Sequence, residues 1–452
     1  MRLSGEKVLV VGLGKSGVAA VRLLLAQGAR VVGNDARPEG ELSAEALALR
    51  EAGVELALGG HEPALFAGMD RIVVSPGIPR LPALAAAERA GVPIASEIEL
   101  ASWFLEGTLI GVTGTNGKST VTTLVGEMCR QSGRPTFTGG NLGTPLALAV
   151  ESPAAHKGGY VVVELSSFQL ERVDQLRVNF AALLNVTPDH LDRYDSFQAY
   201  AQAKANIFRN QSEDDAAIVP SGDALCASLA REGAGKLYAF GGVDGAVRVV
   251  AGEIRDDAGG LSLPITELGI TGRHNHENAC AAALLARLAG VPRAAIEQVL
   301  RSFRGLPHRM VLVRQLDGVD YFDDSKATNV GAAAAALDGL ADRAGRVVLI
   351  AGGRDKGGDY GPIAERMRAR GRAALVIGEA TRLIEPALSG GGYPVEALPT
   401  LERAVERAYA LARPGDAVLL APACSSFDMF SSYADRGDAF QDAVRALPGG
   451  RP

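Results

Sequence analysis

Cysteine is scarce: Cys129, Cys226, Cys280 and Cys424 stand far apart in a chain of 452 residues. They show neither the CxxC spacing of a zinc site nor the density of a disulfide framework, so a reducing compartment is expected. Long apolar runs are missing as well. No stretch reaches the ~18 residues that a membrane span needs. No leader precedes the first apolar strand after MRLSGEK, which points to a cytoplasmic protein without membrane insertion. Positive charge is not in excess: 46 Lys and Arg against 52 Asp and Glu leave a net charge of -6. Such a balance argues against nucleic acid or an anionic membrane as partner, so small anionic ligands must be met by local basic sites. No internal repeat and no low-complexity tract is found.

What the chain has is length and alternation. Its 452 residues exceed one compact core and suit two or three domains. Short β-rich runs at 7–11, 29–33 and 71–75 are separated by Ala/Leu-rich segments of helical period, the pattern of a parallel sheet wrapped by helices. This first domain is expected over 1–97. A second set of strands at 108–113, 160–165, 180–186 and 217–220, a hairpin region at 241–263 and a helix at 275–289 predict a central domain over 98–305. Arg304-Gly305-Leu306-Pro307 reads as a hinge. Strands at 319–323, 346–351, 374–378 and 416–422 then build a third α/β domain over 306–452.

The strongest motif is the apolar run Leu109–Thr113 leading into Gly114-Thr115-Asn116-Gly117-Lys118-Ser119-Thr120. Amides of such a loop and the positive end of the following helix cradle phosphates, the lysine neutralises the β and γ groups, and the first hydroxyl can bind magnesium. Val112 stands where the P-loop pattern usually has its first glycine, so this is a variant. Gly12-Leu13-Gly14-Lys15-Ser16-Gly17 also satisfies GxGxxG, and Asp35 ends the next strand where a ribose-binding acid would stand. A dehydrogenase would carry the same loop, but nothing downstream suggests nicotinamide chemistry. With Ser75-Pro76-Gly77 at the same sheet edge, a non-redox nucleotide anchor is the preferred reading.

Glu164 closes a strand near the P-loop, where a carboxylate suits magnesium. His190 follows the next strand in a polar loop, at the same sheet edge. By pattern alone Lys204 is a solvated helix lysine. Asn275 and Asn278 open an alanine-rich helix, one as a cap and either able to read a purine or hold a phosphate. Arg309, just past the hinge, reads either as an interdomain ion-pair partner or as a donor to the γ-phosphate on domain closure. Asp323-Asp324-Ser325-Lys326-Ala327-Thr328-Asn329, Gly352-Gly353-Arg354-Asp355-Lys356-Gly357 and Cys424-Ser425-Ser426-Phe427-Asp428 stand at three further strand ends, where ligands of open α/β sheets gather.

Together GLGKSG, ELSSFQLE, NVTPDHLDRY, DDSKATN and APACSSFDMF, in this order, resemble the Mur ligases of bacterial cell-wall synthesis over essentially the whole chain. The resemblance is to the branch that adds D-glutamate to UDP-N-acetylmuramoyl-L-alanine with ATP, and it implies a monomer. It implies a Rossmann-like N-terminal domain, a P-loop ATPase-type central domain and a Rossmann-like C-terminal domain. It also implies that Gly14, Lys15, Ser16, Asp35, Ala36, Arg37, Ser75, Pro76 and Gly77 hold the uridine diphosphate, with Asn141 and His190 toward the muramoyl-alanine part. Ser119, Glu164, His190 and a carbamylated Lys204 would surround two magnesium ions. Asn278, Arg309 and Asp324 would hold ATP, Lys326 would face the reacting groups, and Thr328, Lys356, Ser426 and Tyr433 would bind D-glutamate. Lys15, Arg354 and Tyr433 depart from the residues expected at those places.

Overall fold

The computed structural model describes residues 3–191, 193–341 and 343–449. Runs of Val, Ile and Leu bounded by turns form strands buried on both faces, as parallel sheets covered by helices require. In the first sheet β1 (Lys7–Val11), β2 (Arg30–Asp35), β3 (Glu55–Leu58), β4 (Arg71–Val74) and β5 (Ile94–Ser96) run parallel in the order β3-β2-β1-β4-β5. The order changes direction between β1 and β4. Their following loops therefore flank the crevice in which open α/β sheets bind ligands.

The second sheet is also parallel. It contains β6 (Thr108–Thr113), β7 (Thr136–Gly140), β8 (Tyr160–Glu164), β9 (Phe180–Leu183), β10 (Ala216–Pro220) and β11 (Lys236–Phe240) in the order β11-β10-β9-β6-β8-β7. The region expected as a hairpin is a three-stranded antiparallel meander of β12 (Arg248–Val250), β13 (Glu253–Asp256) and β14 (Leu261–Pro264). A last sheet runs β15-β16-β20-β17-β18-β19, with β15 (Val311–Leu316) antiparallel to β16 (Val319–Asp323). Its remaining members are β17 (Val347–Gly352), β18 (Gly371–Ile377), β19 (Val395–Ala397) and β20 (Ala417–Leu420).

Two compact units result. One holds the first two large sheets and the meander; the other holds the β15–β20 sheet together with Thr187–Tyr200 and Gly269–Asn275. The first two sheets form one unit because a single apolar core runs through both, joining Val8 and Leu24 to Leu146, Val163 and Phe208. Buried polar ties reinforce the junction. Ser96 Oγ donates to Arg172 O, Ala147 N donates to Glu97 Oε1 at 2.6 Å, and Glu99 accepts from Trp103 Nε1 and from the amides of Asp174, Gln175 and Leu176.

Candidate active site

The phosphate loop leaves β6 and enters the helix Lys118–Gln131. Gly114 at φ +148° and Gly117 at φ +85° take up backbone conformations that side chains resist, so both glycines shape the loop. A Cβ on Gly117 would lie 2.5 Å from Asn278 Oδ1, which places the expected ATP-holding asparagine against the loop. Asn185 braces the other side: its carbonyl accepts from Thr115 N at 2.9 Å and its side-chain oxygen from Asn116 N at 2.8 Å. Lys118 Nζ donates to Gly114 O and Thr115 O, holding its ammonium over the amide cradle. Ser119 and Thr120 lie buried in the first helical turn.

Glu164 ends β8, directly beside β6, with Val112 as its register partner. Its Oε1 accepts from Asn141 Nδ2 at 2.6 Å. Its Oε2 is buried with no hydrogen-bond partner among the described residues. A bare carboxylate oxygen costs several kcal/mol unless a proton or cation joins it. Lys204 overturns the reading from pattern alone. It is 1% exposed, and its Nζ donates to Gly114 O at 2.8 Å, which puts a buried lysine nitrogen against the phosphate loop.

In the first sheet Gly12, at φ +90°, accepts from Ser75 Oγ at 2.7 Å, and a Cβ on Gly17 would overlap Gly12 O. Gly14 and Lys15 are exposed at the start of the helix Lys15–Ala26, Ser16 is half-buried, and Ser75, Pro76 and Gly77 follow β4 at the same edge. Asp35 is turned inward. It accepts from Leu13 N at 2.8 Å and from Arg37 through N, Nε and Nη2, while Ala36 and Arg37 stay exposed. Burial alone would raise the Asp35 carboxyl; these donors outweigh it and hold it down at about 2. The carboxylate therefore fixes the GxGxxG loop and aims Arg37.

The second unit gathers the remaining expected residues. Arg309 lies near Asp324, a buried carboxyl that burial raises to about 7 against the opposing charge of Arg309 and the amide of Met310. Lys326 Nζ stands 4.0 Å from the centre of the Tyr433 ring, and its amide donates to His308 O. Thr328 N donates to Lys326 O, and Ser426 is buried after β20. His190 adopts φ +56° and donates through its amide to Asp189 Oδ1. Asp189 also accepts from Asn329 Nδ2 at 3.1 Å and lies 3.7 Å from Lys356 Nζ. Pro188, Asp189, Asn329, Asp355 and Lys356 line one cleft.

Arg436 and Tyr360 lie outside every motif read from the sequence, and the pairings between motif residues had no local signal either. Asp189 and Asn329 are 140 positions apart, and only the folded unit joins them. Arg436 is wholly buried and binds Ser325 O, Ser325 Oγ and Cys424 O, tying two loops together, while burial lowers it to about 10. Asp355 accepts from Tyr360 Oη at 2.6 Å and from Gly357 N, and Cys424 Sγ lies 3.2 Å from the same hydroxyl. Burial pushes the Cys424 thiol up to about 11.

Models of the Mur ligase MurD-like N-terminal domain, the Mur ligase middle domain and the Mur ligase glutamate ligase domain match residues 6–96, 112–286 and 308–424. The UDP-N-acetylmuramoylalanine--D-glutamate ligase of Myxococcus xanthus is 46% identical, covering 99% of this chain and 100% of that protein. The protein of the same name from Anaeromyxobacter dehalogenans is 47% identical over 97% of each chain. Among solved structures, the UDP-N-acetylmuramate-alanine ligase of Thermotoga maritima has a TM-score of 0.60 at 20% identity, covering 98% of this chain and 99% of that one. At that identity the likeness is one of fold.

Proposed function

The chain belongs to the Mur ligase family, and from that premise we propose that it is the cytoplasmic ligase joining D-glutamate to UDP-N-acetylmuramoyl-L-alanine at the expense of ATP. The observation that carries the reading is Glu164, a buried, half-partnered carboxylate on the strand next to the one that feeds the phosphate loop.

Magnesium suits these residues. Glu164, Ser119 and the hydroxyl of Thr113, buried without a hydrogen-bond partner among the described residues, are hard oxygen donors. Bound there, magnesium would offset charge on the transferred phosphoryl group. A buried ammonium at Lys204 would repel such an ion, whereas a carbamate on Lys204 would supply oxygen ligands, so we assign it that modification and a share, with His190, in a second magnesium site.

The roles of the remaining residues follow from charge and position. Lys118 and the loop amides of Gly114–Thr120 hold the phosphates, with Asn278, Arg309 and Asp324 on the rest of ATP. The uridine diphosphate lies against Gly14–Ser16, Asp35–Arg37 and Ser75–Gly77, and Asn141 and His190 face the muramoyl-alanine end. The alanine carboxylate attacks the γ-phosphorus, the bond to ADP breaks and an acyl phosphate forms. The amine of D-glutamate, held by Thr328, Lys356, Ser426 and Tyr433, attacks that carbonyl. Phosphate leaves, the amine loses a proton, and Lys326 offsets the anionic charge that develops.

Phosphate release with ATP, magnesium and UDP-N-acetylmuramoyl-L-alanine tests the proposal. Release should depend on D-glutamate and be absent with L-glutamate, L-lysine, diaminopimelate or no amino acid. Release with another amino acid would overturn the substrate, and none with any would overturn the reaction.

A further inference from the structure

Lys356 follows Asp355 in sequence, and both line the cleft that also contains Asp189 and Asn329. An acid beside a lysine that must bind a carboxylate is a competitor for the same ammonium. The structure shows how this one is occupied. Oδ1 of Asp355 accepts from the buried Tyr360 hydroxyl at 2.6 Å, and Oδ2 accepts from Gly357 N at 2.9 Å, so the carboxylate staples the turn that carries Lys356. Tyr360 Oη spends its single proton on Asp355, which leaves Cys424 Sγ–H to donate to that oxygen at 3.2 Å. Backbone bonds in both directions between Arg354 and Ser425 then hold this turn against the loop that carries Ser426. The ammonium of Lys356 keeps a loose contact of 3.7 Å with Asp189.

We propose that Tyr360 is a positioning residue for the amino-acid site: its hydroxyl holds the Asp355 carboxylate away from Lys356, leaving that ammonium for the carboxylate of the incoming amino acid. The inference rests on the assignment of Lys356 to D-glutamate made above. Removing the hydroxyl leaves Asp355 Oδ1 without its donor, and its readiest new partner is the adjacent ammonium. The defect should therefore depend on the charge of Asp355, which a purely structural defect would not.

Steady-state kinetics on Y360F, D355N, the Y360F/D355N double variant and K356A separates the cases. Y360F should raise the D-glutamate KM about five- to tenfold, the scale of one ordinary hydrogen bond, with the ATP KM and kcat within twofold. Adding D355N should restore most of that loss. A D-glutamate KM unchanged in Y360F, an equal rise for ATP, or a double variant worse than Y360F would overturn the role of Tyr360. If K356A leaves the D-glutamate KM unaltered, the assignment of Lys356 falls and this inference with it. If K356A raises it and Y360F does not, the assignment stands and Tyr360 alone is refuted.

Discussion

Asn141 Nδ2 reaches Glu164 Oε1 at 2.6 Å, while the second oxygen of the same carboxylate is buried without a hydrogen-bond partner among the described residues. One amide thus fixes the orientation of the acid proposed above as a magnesium ligand. Removing a group that orients a metal ligand typically lowers metal affinity 10- to 100-fold. Asn141→Ala is expected to raise the magnesium concentration for half-maximal phosphate release by about tenfold, with a near-normal rate at saturation. Glu164→Gln should lose about 100-fold or more at any magnesium concentration. Magnesium titrations that overlay for Asn141→Ala and the parent chain would remove Asn141 from this role.

The phosphate loop needs glycine at position 117 for two separable reasons. Its φ of +85° costs a side chain about 1–2 kcal/mol, and a Cβ would stand 2.5 Å from Asn278 Oδ1. Gly117→Ala should therefore raise the ATP KM at least about tenfold, and ATP should shift its melting temperature less than it shifts that of the parent. Gly68→Ala is the control, because Gly68 has φ -99° and an added Cβ there would meet nothing within 4 Å among the described residues. Equal ATP responses in the two variants would refute the argument.

The sequence was most legible where one local pattern is sufficient. Central strands such as Lys7–Val11 and Thr108–Thr113 lie where their apolar runs place them, because burial on both faces favours a near-continuous apolar sequence. Edge strands Glu55–Leu58, Lys236–Phe240 and Val395–Ala397 escaped, since each is largely exposed or half-buried and its apolar run is too short to tell a strand from a helix segment. The glycine loop could be read for the same local reason. Lys204 could not: a lysine on a helix of low amphipathicity looks solvated, and only packing of that helix against the phosphate loop buries it. Asp35 illustrates the converse. It stands at the expected strand end, but its oxygens are bound by Leu13 and Arg37, and neither bond can be read from the spacing.

Lys204 leads to a chemical prediction. Carbon dioxide adds to the neutral amine, so its nitrogen gains a carbon–nitrogen bond and loses a proton, and an ammonium donor becomes an anionic oxygen ligand. After equilibration with ¹³C-bicarbonate and magnesium, the protein should show one carbamate carbon signal that is lost in Lys204→Met. The same substitution should abolish phosphate release while leaving ATP binding measurable. A labelled parent chain without that signal, but fully active, would show that Lys204 acts as an ammonium.

Glu97 supplies a prediction about pH at the junction of the first two sheets. It is 1% exposed, and burial raises its carboxyl to about 7 even though the amides of Ala147 and Leu146 oppose the shift. Because the folded value lies above the ordinary 4.5, the native state binds the extra proton between those two pH values. Stability is then fully present below about 4.5, falls as pH rises through 7, and is level above it. Glu97→Gln keeps an acceptor for Ala147 N but cannot ionise. Its melting temperature should gain on the parent chain between pH 5 and about 7.5 by an amount worth on the order of 1–3 kcal/mol. Asp324 is also raised to about 7, but it titrates in both proteins and cancels in their difference. Curves that stay parallel across this range would mean that Glu97 is already ionised in the folded chain.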